Sequence, residues 1–98
     1  MLDIQKTIDS GKALFAVKGR LDSITAPDLE KELEENLSGA EELVIDFDGL
    51  EYISSAGLRV LLAAKEIMGD KPFIIKNVNE VIRDVFDVTG FSSFLNIE

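Results

Sequence analysis

The sequence predicts a single-domain α/β fold: a mixed β-sheet that begins with an antiparallel hairpin, is parallel in its centre and packs against helices. Short apolar runs alternate along the chain with longer segments whose apolar residues recur at helical spacing, a pattern typical of alternating strands and helices. The 98 residues are 46% hydrophobic and 30% charged, which is a globular balance. Because no internal repeat or linker interrupts this order, we expect one domain over residues 1–98.

The first two strands are predicted to form the hairpin. Residues 2–8 contain a partial apolar alternation, which is a weak strand signal, and residues 9–11 end it as a turn. Residues 13–17 form a more apolar run, which indicates a buried strand that closes at Gly19.

The first helix is predicted to begin at Thr25 or Ala26. Pro27 is tolerated in a first helical turn, and the acidic Asp28 suits the positive end of the helix dipole. Gly39 lies just past the expected end of the helix. The apolar stripe at helical spacing consists of Ala26, Leu29, Leu33 and Leu37.

The middle of the chain predicts a strand followed by a second helix. Residues 43–47 form an apolar run that is typical of a central strand. The second helix is expected to run from about residue 55 to residue 68 and to stop at Gly69.

The last third predicts two short strands, at residues 73–75 and 95–97, with a third helix between them. This helix is expected to stop at Gly90, with Phe91 in a hydrophobic contact beyond it. Its apolar residues are Val78, Val81, Ile82, Val85 and Phe86.

Charge and composition argue against several classes of function. The net charge of −9 argues against nucleic-acid binding, which requires a basic surface. The chain has no cysteine and no histidine, so we expect no metal, no cofactor and no enzymatic activity. The apolar runs are short for a membrane span of about 20 residues. Asp3, Lys6 and Asp9 interrupt any signal-peptide pattern, and a cytoplasmic location is expected.

The most informative segment is residues 52–62, where the chain enters the second helix. Ser54, Ser55 and Gly57 stand at the helix start, where unpaired amide groups and the helix dipole favour an anion. Since the chain has no histidine to activate either hydroxyl, we expect one serine to receive phosphate from another protein.

The helical wheel of the second helix separates an inner face from an outer face. The inner face consists of Gly57, Val60, Leu61, Ala64, Ile67 and Met68, and the outer face of Ser55, Leu58, Arg59, Leu62 and Glu66. Leu58 and Leu62 are therefore predicted to face solvent beside the serine, as an apolar docking patch. Its polar rim would consist of Arg59, Lys65 and Glu66. Ordinary surface, or packing against a neighbouring helix, is the alternative interpretation.

Two further features have more than one interpretation. Gly57 can let the helix approach the sheet closely, and it can leave the first-turn amides open to a phosphate or a partner; both interpretations can hold together. Asp46 and Asp48 could suggest a phospho-accepting aspartate or a metal site, but solvated carboxylates at a strand end are the favoured interpretation.

Several segments resemble stand-alone STAS domains of the anti-sigma factor antagonist family. They are residues 19–22 (GRLD), 43–47 (LVIDF), 52–58 (YISSAGL) and 88–91 (VTGF), of which 52–58 is the most specific. The resemblance covers nearly the whole chain and implies a STAS-like fold.

The resemblance also implies a regulatory cycle. In that family an ATP-dependent serine kinase, which doubles as the anti-sigma factor, phosphorylates a Ser or Thr at the start of the second helix. The unphosphorylated domain binds the kinase and frees the sigma factor, and the phosphorylated form releases the kinase. A metal-dependent serine phosphatase resets the switch.

The family motif implies which serine is modified. Its commonest form is Asp, Ser, Ser or Thr, then Gly, with phosphate on the residue before Gly. Ala56 occupies that position here and has no hydroxyl. Some members share Ser-Ser-Ala-Gly, so Ser55 is the predicted acceptor and Ser54, the expected N-cap, is the second choice.

The resemblance further implies that Asp22 lies near this site and contacts the partner; a loop acid that hydrogen-bonds a turn is the alternative. The residues expected to bind the partner are Asp22, Ser54, Ser55, Ala56, Gly57, Leu58, Arg59 and Leu62.

Two other binding functions remain as alternatives. An unphosphorylated STAS subunit of a membrane transporter or a larger signalling complex would use the same face without phosphate. A receiver domain is also α/β with an acid after a strand, but it needs roughly another βα unit and an acid cluster that this chain lacks.

Overall fold

The computed structural model describes residues 2–98, which form six strands and three α-helices. The elements are β1 (Leu2–Asp9), β2 (Lys12–Leu21), α1 (Ala26–Asn36), β3 (Glu42–Asp46), β4 (Leu50–Ile53), α2 (Ser55–Met68), β5 (Phe73–Lys76), α3 (Glu80–Thr89) and β6 (Asn96–Ile97), with a 3₁₀ turn at Phe91–Ser93.

The strands form one mixed sheet in the order β1-β2-β3-β5-β6, and β4 pairs with the end of β2. The β1–β2 pair is antiparallel, whereas β3, β4, β5 and β6 join the sheet in parallel. The predicted fold class and the predicted hairpin are confirmed. β3 lies between β2 and β5, which confirms it as a central strand.

The second strand is longer than the sequence indicated. β2 does not close at Gly19 but continues to Leu21. The register shifts between Gly19 and Arg20, where Gly19 adopts φ 99°, a left-handed conformation that glycine reaches without a steric penalty. Because of this bend, β2 pairs with two different strands on the same side: residues 12–16 pair with β3, and residues 19–21 pair with β4. β4 was not predicted from the sequence.

The core lies on the face of the sheet that the helices cover. Alternate residues of the central strands supply its sheet side, and these are Ala13, Phe15, Val17, Leu43, Ile45, Phe73 and Ile75. The predicted stripe of α1 is buried, with Thr25 as the N-cap and Pro27 in the first turn. No helix within residues 2–98 combines the length and the apolar character needed to cross a membrane.

The third helix departs in part from its predicted pattern. Ile82 and Phe86 are buried, but Val81 is exposed and Val78 precedes the helix. The N-cap is Asn79, whose side chain accepts a hydrogen bond from the N–H of Ile82 at 2.9 Å. Beyond the stop at Gly90, Phe91 packs partly against the core, as predicted.

The second helix approaches the sheet closely at Gly57. A Cβ atom built there would lie 2.8 Å from Ile53 Cγ1 and 2.8 Å from Leu21 Cγ. Leu21 Cγ is a branch point and Ile53 Cγ1 is bonded directly to the branched Cβ, so neither atom is the flexible end of a side chain and neither can move away cheaply. This contact confirms the close-approach interpretation of Gly57.

Gly57→Ala should therefore destabilise the protein, although alanine is the better helix former by about 1 kcal/mol. Overpacking costs about 1–3 kcal/mol and should outweigh that gain. In a domain of this size each 1 kcal/mol lost lowers Tm by roughly 4–8 °C, which calorimetry would resolve.

Gly39→Ala is the matched control, because a Cβ at Gly39 meets no atom within 4 Å. We expect its Tm to stay near that of the parent protein. Equal melting temperatures for the two variants would contradict the close contact at Gly57.

Candidate functional site

Ser54 caps the start of α2. Its backbone is extended, at φ −102° and ψ 176°, and its Oγ accepts a long hydrogen bond of 3.4 Å from the N–H of Gly57. The Ser54 N–H donates to the carbonyl of Leu21 at 2.9 Å, which attaches the helix start to the end of β2. The prediction that Ser54 is the N-cap is confirmed, and its side chain is half-buried.

Ser55 is the exposed member of the serine pair. It is the first residue of α2, where backbone N–H groups lack partners inside the helix. Ala56 follows it and packs partly against the core. Of these three residues, Ser55 alone combines a hydroxyl with an exposed position.

The outer face of α2 is narrower than the helical wheel predicts. Leu58 is only 7% exposed and belongs to the core, so the prediction that it faces solvent was wrong. The Ser54 N–H bonds to β2 immediately before the first turn of α2 and holds that turn against the sheet. More side chains of the turn are consequently buried than the helical wheel predicts. Leu62 is 38% exposed, as predicted.

Ile67 was predicted to lie on the buried inner face of α2, but it is 44% exposed, so that prediction was wrong. It lies at the edge of the contact between α1 and α2, close to Glu30 and Glu34. The exposed outer stripe of α2 that remains is Ser55, Arg59, Leu62 and Glu66, spaced four, three and four residues apart.

The turn after β2 lies beside the helix start and is built around Asp22. Asp22 Oδ1 accepts hydrogen bonds from the N–H groups of Ile24 at 3.0 Å and Thr25 at 3.1 Å. The Thr25 hydroxyl donates to the carbonyl of Arg20 at 2.7 Å and accepts from the Asp22 N–H at 2.9 Å. This network matches the interpretation of Asp22 as an acid that hydrogen-bonds a turn. It leaves Ile24 84% exposed.

The charge of Asp22 is stabilised locally. The N–H of Thr25 is the largest influence and lowers the pKa of the carboxyl group, although partial desolvation raises it. The N–H of Ile24, the Thr25 hydroxyl and the charge of Arg20 lower the pKa further. The net direction is downward from the usual 3.8, so Asp22 is ionised at neutral pH.

Arg20 joins this turn to β4. Its guanidinium carbon lies 4.3 Å from the centre of the Tyr52 ring, a cation–π contact between register partners on β2 and β4. Its Nε lies 3.9 Å from Asp22 Oδ2. Tyr52 is 40% exposed, and the residues next to the pair along each strand, Leu21 and Ile53, are the ones that pack under Gly57. This pair was not predictable from local sequence, because only the unanticipated β2–β4 register brings the two side chains together.

Asp46 stabilises a turn at the end of β3. Its Oδ1 accepts hydrogen bonds from the Asp48 N–H and the Asn77 side-chain amide, both at 2.9 Å. Partial burial raises the pKa of Asp46, but these two bonds, together with nearby lysines, lower it overall. Within residues 2–98, no cluster of three or more His, Cys, Asp or Glu side chains could hold a metal ion.

Comparison with known proteins agrees with this architecture. The family profile described as "Mlab, STAS domain" matches residues 4–96. BtrV of Bordetella bronchiseptica, which is named as an anti-sigma factor antagonist, is 35% identical over 92 residues; the match covers 89% of this chain and 78% of BtrV.

Solved structures share this fold over nearly the whole chain. A crystal structure of an anti-sigma factor antagonist from Mycobacterium paratuberculosis has a TM-score of 0.90 and 25% identity, and the match covers 99% of this chain and 85% of that one. The phosphorylated form of the Bacillus cell fate determinant SpoIIAA has a TM-score of 0.77 at 15% identity, over 98% of this chain and 91% of that one. At that identity it establishes the fold alone.

Asp22→Asn should lower the free energy of unfolding at neutral pH, because it removes the charge that the turn stabilises. The pKa of Asp22 is lower in the folded protein than its unfolded value of 3.8. The stabilisation is therefore fully present above pH 3.8 and is lost as the pH falls through the folded pKa. Urea unfolding from pH 7 to pH 2 should show the parent and variant curves converging at the acid end.

Asp84→Asn removes an exposed carboxylate from the middle of α3, away from a helix end, and serves as the matched control, with a stability near that of the parent at each pH. A stability gap for Asp22→Asn that stays constant across this pH range would contradict the inferred pKa shift.

Proposed function

This chain belongs to the STAS domain family, among the anti-sigma factor antagonists, and we propose that it is a protein-binding switch controlled by phosphate on Ser55. In this proposal the unmodified chain binds a serine-kinase anti-sigma factor, and the phosphorylated chain releases it. The observation that carries the proposal is the exposed hydroxyl of Ser55 at the first position of α2.

The local geometry supports Ser55 over its neighbours as the acceptor. Ser54 is half-buried, and its Oγ is engaged with the N–H of Gly57. Ala56, at the acceptor position of the commonest family motif, has no hydroxyl. A kinase would reach Ser55 without opening the helix cap.

The docking face, as we define it, comprises Asp22, Ser54, Ser55, Ala56, Arg59 and Leu62. Gly57 and Leu58 were also expected to bind the partner, but both are buried, so their part is to position the first turn. Leu62 supplies an exposed apolar contact, and Arg59 and Glu66 supply a polar rim.

The covalent step is a simple transfer. The kinase moves the γ-phosphoryl group of ATP to Ser55 Oγ, the bond to ADP breaks, and the hydroxyl proton is released. A metal-dependent serine phosphatase hydrolyses the ester and returns the hydroxyl. The chain itself is substrate and ligand in this cycle, not an enzyme, and needs no cofactor of its own.

Electrostatics explain why the fold tolerates phosphate while the complex does not. A phosphoserine carries about −1.5 to −2 charges, and each favourable interaction with a helix N-terminus contributes about 0.3–1 kcal/mol. Burying that dianion against a partner without matching cations costs several kcal/mol. A hundredfold loss of affinity requires only about 2.7 kcal/mol. Release therefore needs no conformational change.

The proposal also includes the class of molecule that the chain binds directly and the place in the cell where binding occurs. The net charge of −9 disfavours nucleic acid as a direct ligand, so regulation of transcription would act through protein partners. We expect the exchange to occur in the cytoplasm, where the kinase has access to ATP, and without insertion of this chain into a membrane.

One observation favours a second candidate function. Ala56 occupies the usual acceptor position, which suits a STAS subunit that uses the docking face without phosphate, in a membrane transporter or a larger signalling complex. Co-purification with an ABC transporter, and not with a serine kinase, would favour this candidate.

Ser55→Ala should stay folded, resist phosphorylation and bind the kinase whether or not ATP is present. Ser55→Asp should bind more weakly with a nearly unchanged Tm, because the added charge lies at a favourable helix end. Candidate serine kinases from the same genome, incubated with ATP and the parent chain, allow the modified residue to be mapped by mass spectrometry.

Ser54→Ala is the paired variant in this experiment and should still accept phosphate on the neighbouring serine. Phosphate found on Ser54 alone would reject the assignment. A parent chain that no kinase modifies, and that co-purifies with transporter subunits, would favour the second candidate.

Leu62→Lys should weaken the complex, since it places a charge where the docking face is apolar, and should leave the fold intact because the position is exposed. Val88→Lys makes the same change at a strongly exposed position on α3 and should leave affinity unchanged. Calorimetric titration of the kinase with each variant measures both effects. Equal affinity for the two variants would remove Leu62 from the docking face.

A further inference from the structure

Arg59 and Ser55 are neighbours on the exposed stripe of α2. They lie four residues apart, a spacing that brings two helical side chains together on one face. Helical side chains lean toward the N-terminus, so the turn that carries Ser55 is within the reach of a long side chain at position 59. An anion four residues ahead of a cation is the more stabilising order of such a pair.

Arg59 is also the uncommitted arginine near this helix start. Ion pairs within residues 2–98 engage Lys6, Lys12 and Arg20, and Arg59 takes part in none of them. Arg20, by contrast, is stacked on the Tyr52 ring and lies 3.9 Å from Asp22 Oδ2. Of these two arginines, Arg59 is the one that shares α2 with Ser55 and lies outside the ion pairs.

We propose that Arg59 is the intrahelical counter-ion of a phosphate on Ser55, and that this ion pair withdraws Arg59 from the docking face. The inference rests on the proposed modification of Ser55. A guanidinium can donate two parallel N–H bonds to phosphate oxygens, the strongest geometry for this kind of pair.

The consequence is that one modification changes two groups of the docking face. Ser55 gains negative charge, and the positive charge of Arg59 is neutralised in the same step. In the unmodified chain Arg59 is free to contact a carboxylate of the partner. After modification that contact has to compete with a covalently tethered phosphate, whose effective concentration is high.

The second pKa of the phosphate, which is about 6 for a phosphoserine, reports the pair directly. Chain carrying phosphoserine at position 55 is made by genetic encoding during translation, so no kinase is needed. Titration followed by ³¹P NMR should give a pKa that Arg59→Gln raises by a few tenths of a unit, as expected for an exposed pair four residues apart. Arg59→Lys should keep most of the lowering.

Arg83→Gln is the matched control, because it removes the same charge from an exposed position on α3 and should leave the phosphate pKa unchanged. Equal phosphate pKa values in the Arg59→Gln and Arg83→Gln proteins would overturn the proposal. So would a larger shift for Arg20→Gln, which would make Arg20 the counter-ion. Thermal melts of the unphosphorylated variants establish that each is folded.

This outcome is separable from the outcome for the proposed function. A kinase that ignores Ser55 would reject the switch without affecting the encoded phosphoserine measurement. An unshifted phosphate pKa would reject the ion pair while leaving phosphorylation and release in place.

Discussion

The close contact of Gly57 with Leu21 and Ile53 determines where α2 begins, and the candidate site depends on that position. Only hydrogen fits where a Cβ would lie 2.8 Å from both neighbours. The N–H of Ser54 then reaches the carbonyl of Leu21, and the cap forms. Ser55 follows Ser54 as the first residue of α2. Its exposure therefore depends on how the first turn, which Gly57 holds against the sheet, is positioned.

Two charged side chains near the start of α2, Asp22 and Arg20, already have interaction partners. Asp22 is held by turn amides and faces Arg20, which in turn stacks on Tyr52. Arg59, by contrast, takes part in no ion pair within residues 2–98. Of these charged groups, it is the one that shares the exposed stripe of α2 with Ser55.

Local signals in the sequence predicted much of the fold and part of the site. The Ser54 cap and the stop at Gly69 depend on neighbouring residues and were predictable. The close approach at Gly57 was one of two interpretations, because it depends on Leu21, which is distant in the sequence. β4 was missed because its four residues do not alternate in polarity: the two buried ones, Leu50 and Ile53, lie three residues apart. Leu58 was misplaced because a helical wheel gives the angle between side chains but not the arc that the sheet covers.

The bend of β2 at Gly19 has a consequence for association. The Asp22 turn and the first turn of α2 are both attached to the short strand segment beyond the bend, through the β2–β4 pairing and the bond from Ser54 to Leu21. The acid and the serine therefore lie on two turns that one backbone hydrogen bond couples directly. In the proposed docking, a partner would meet turns whose relative position is already fixed and would sacrifice little conformational entropy in engaging both.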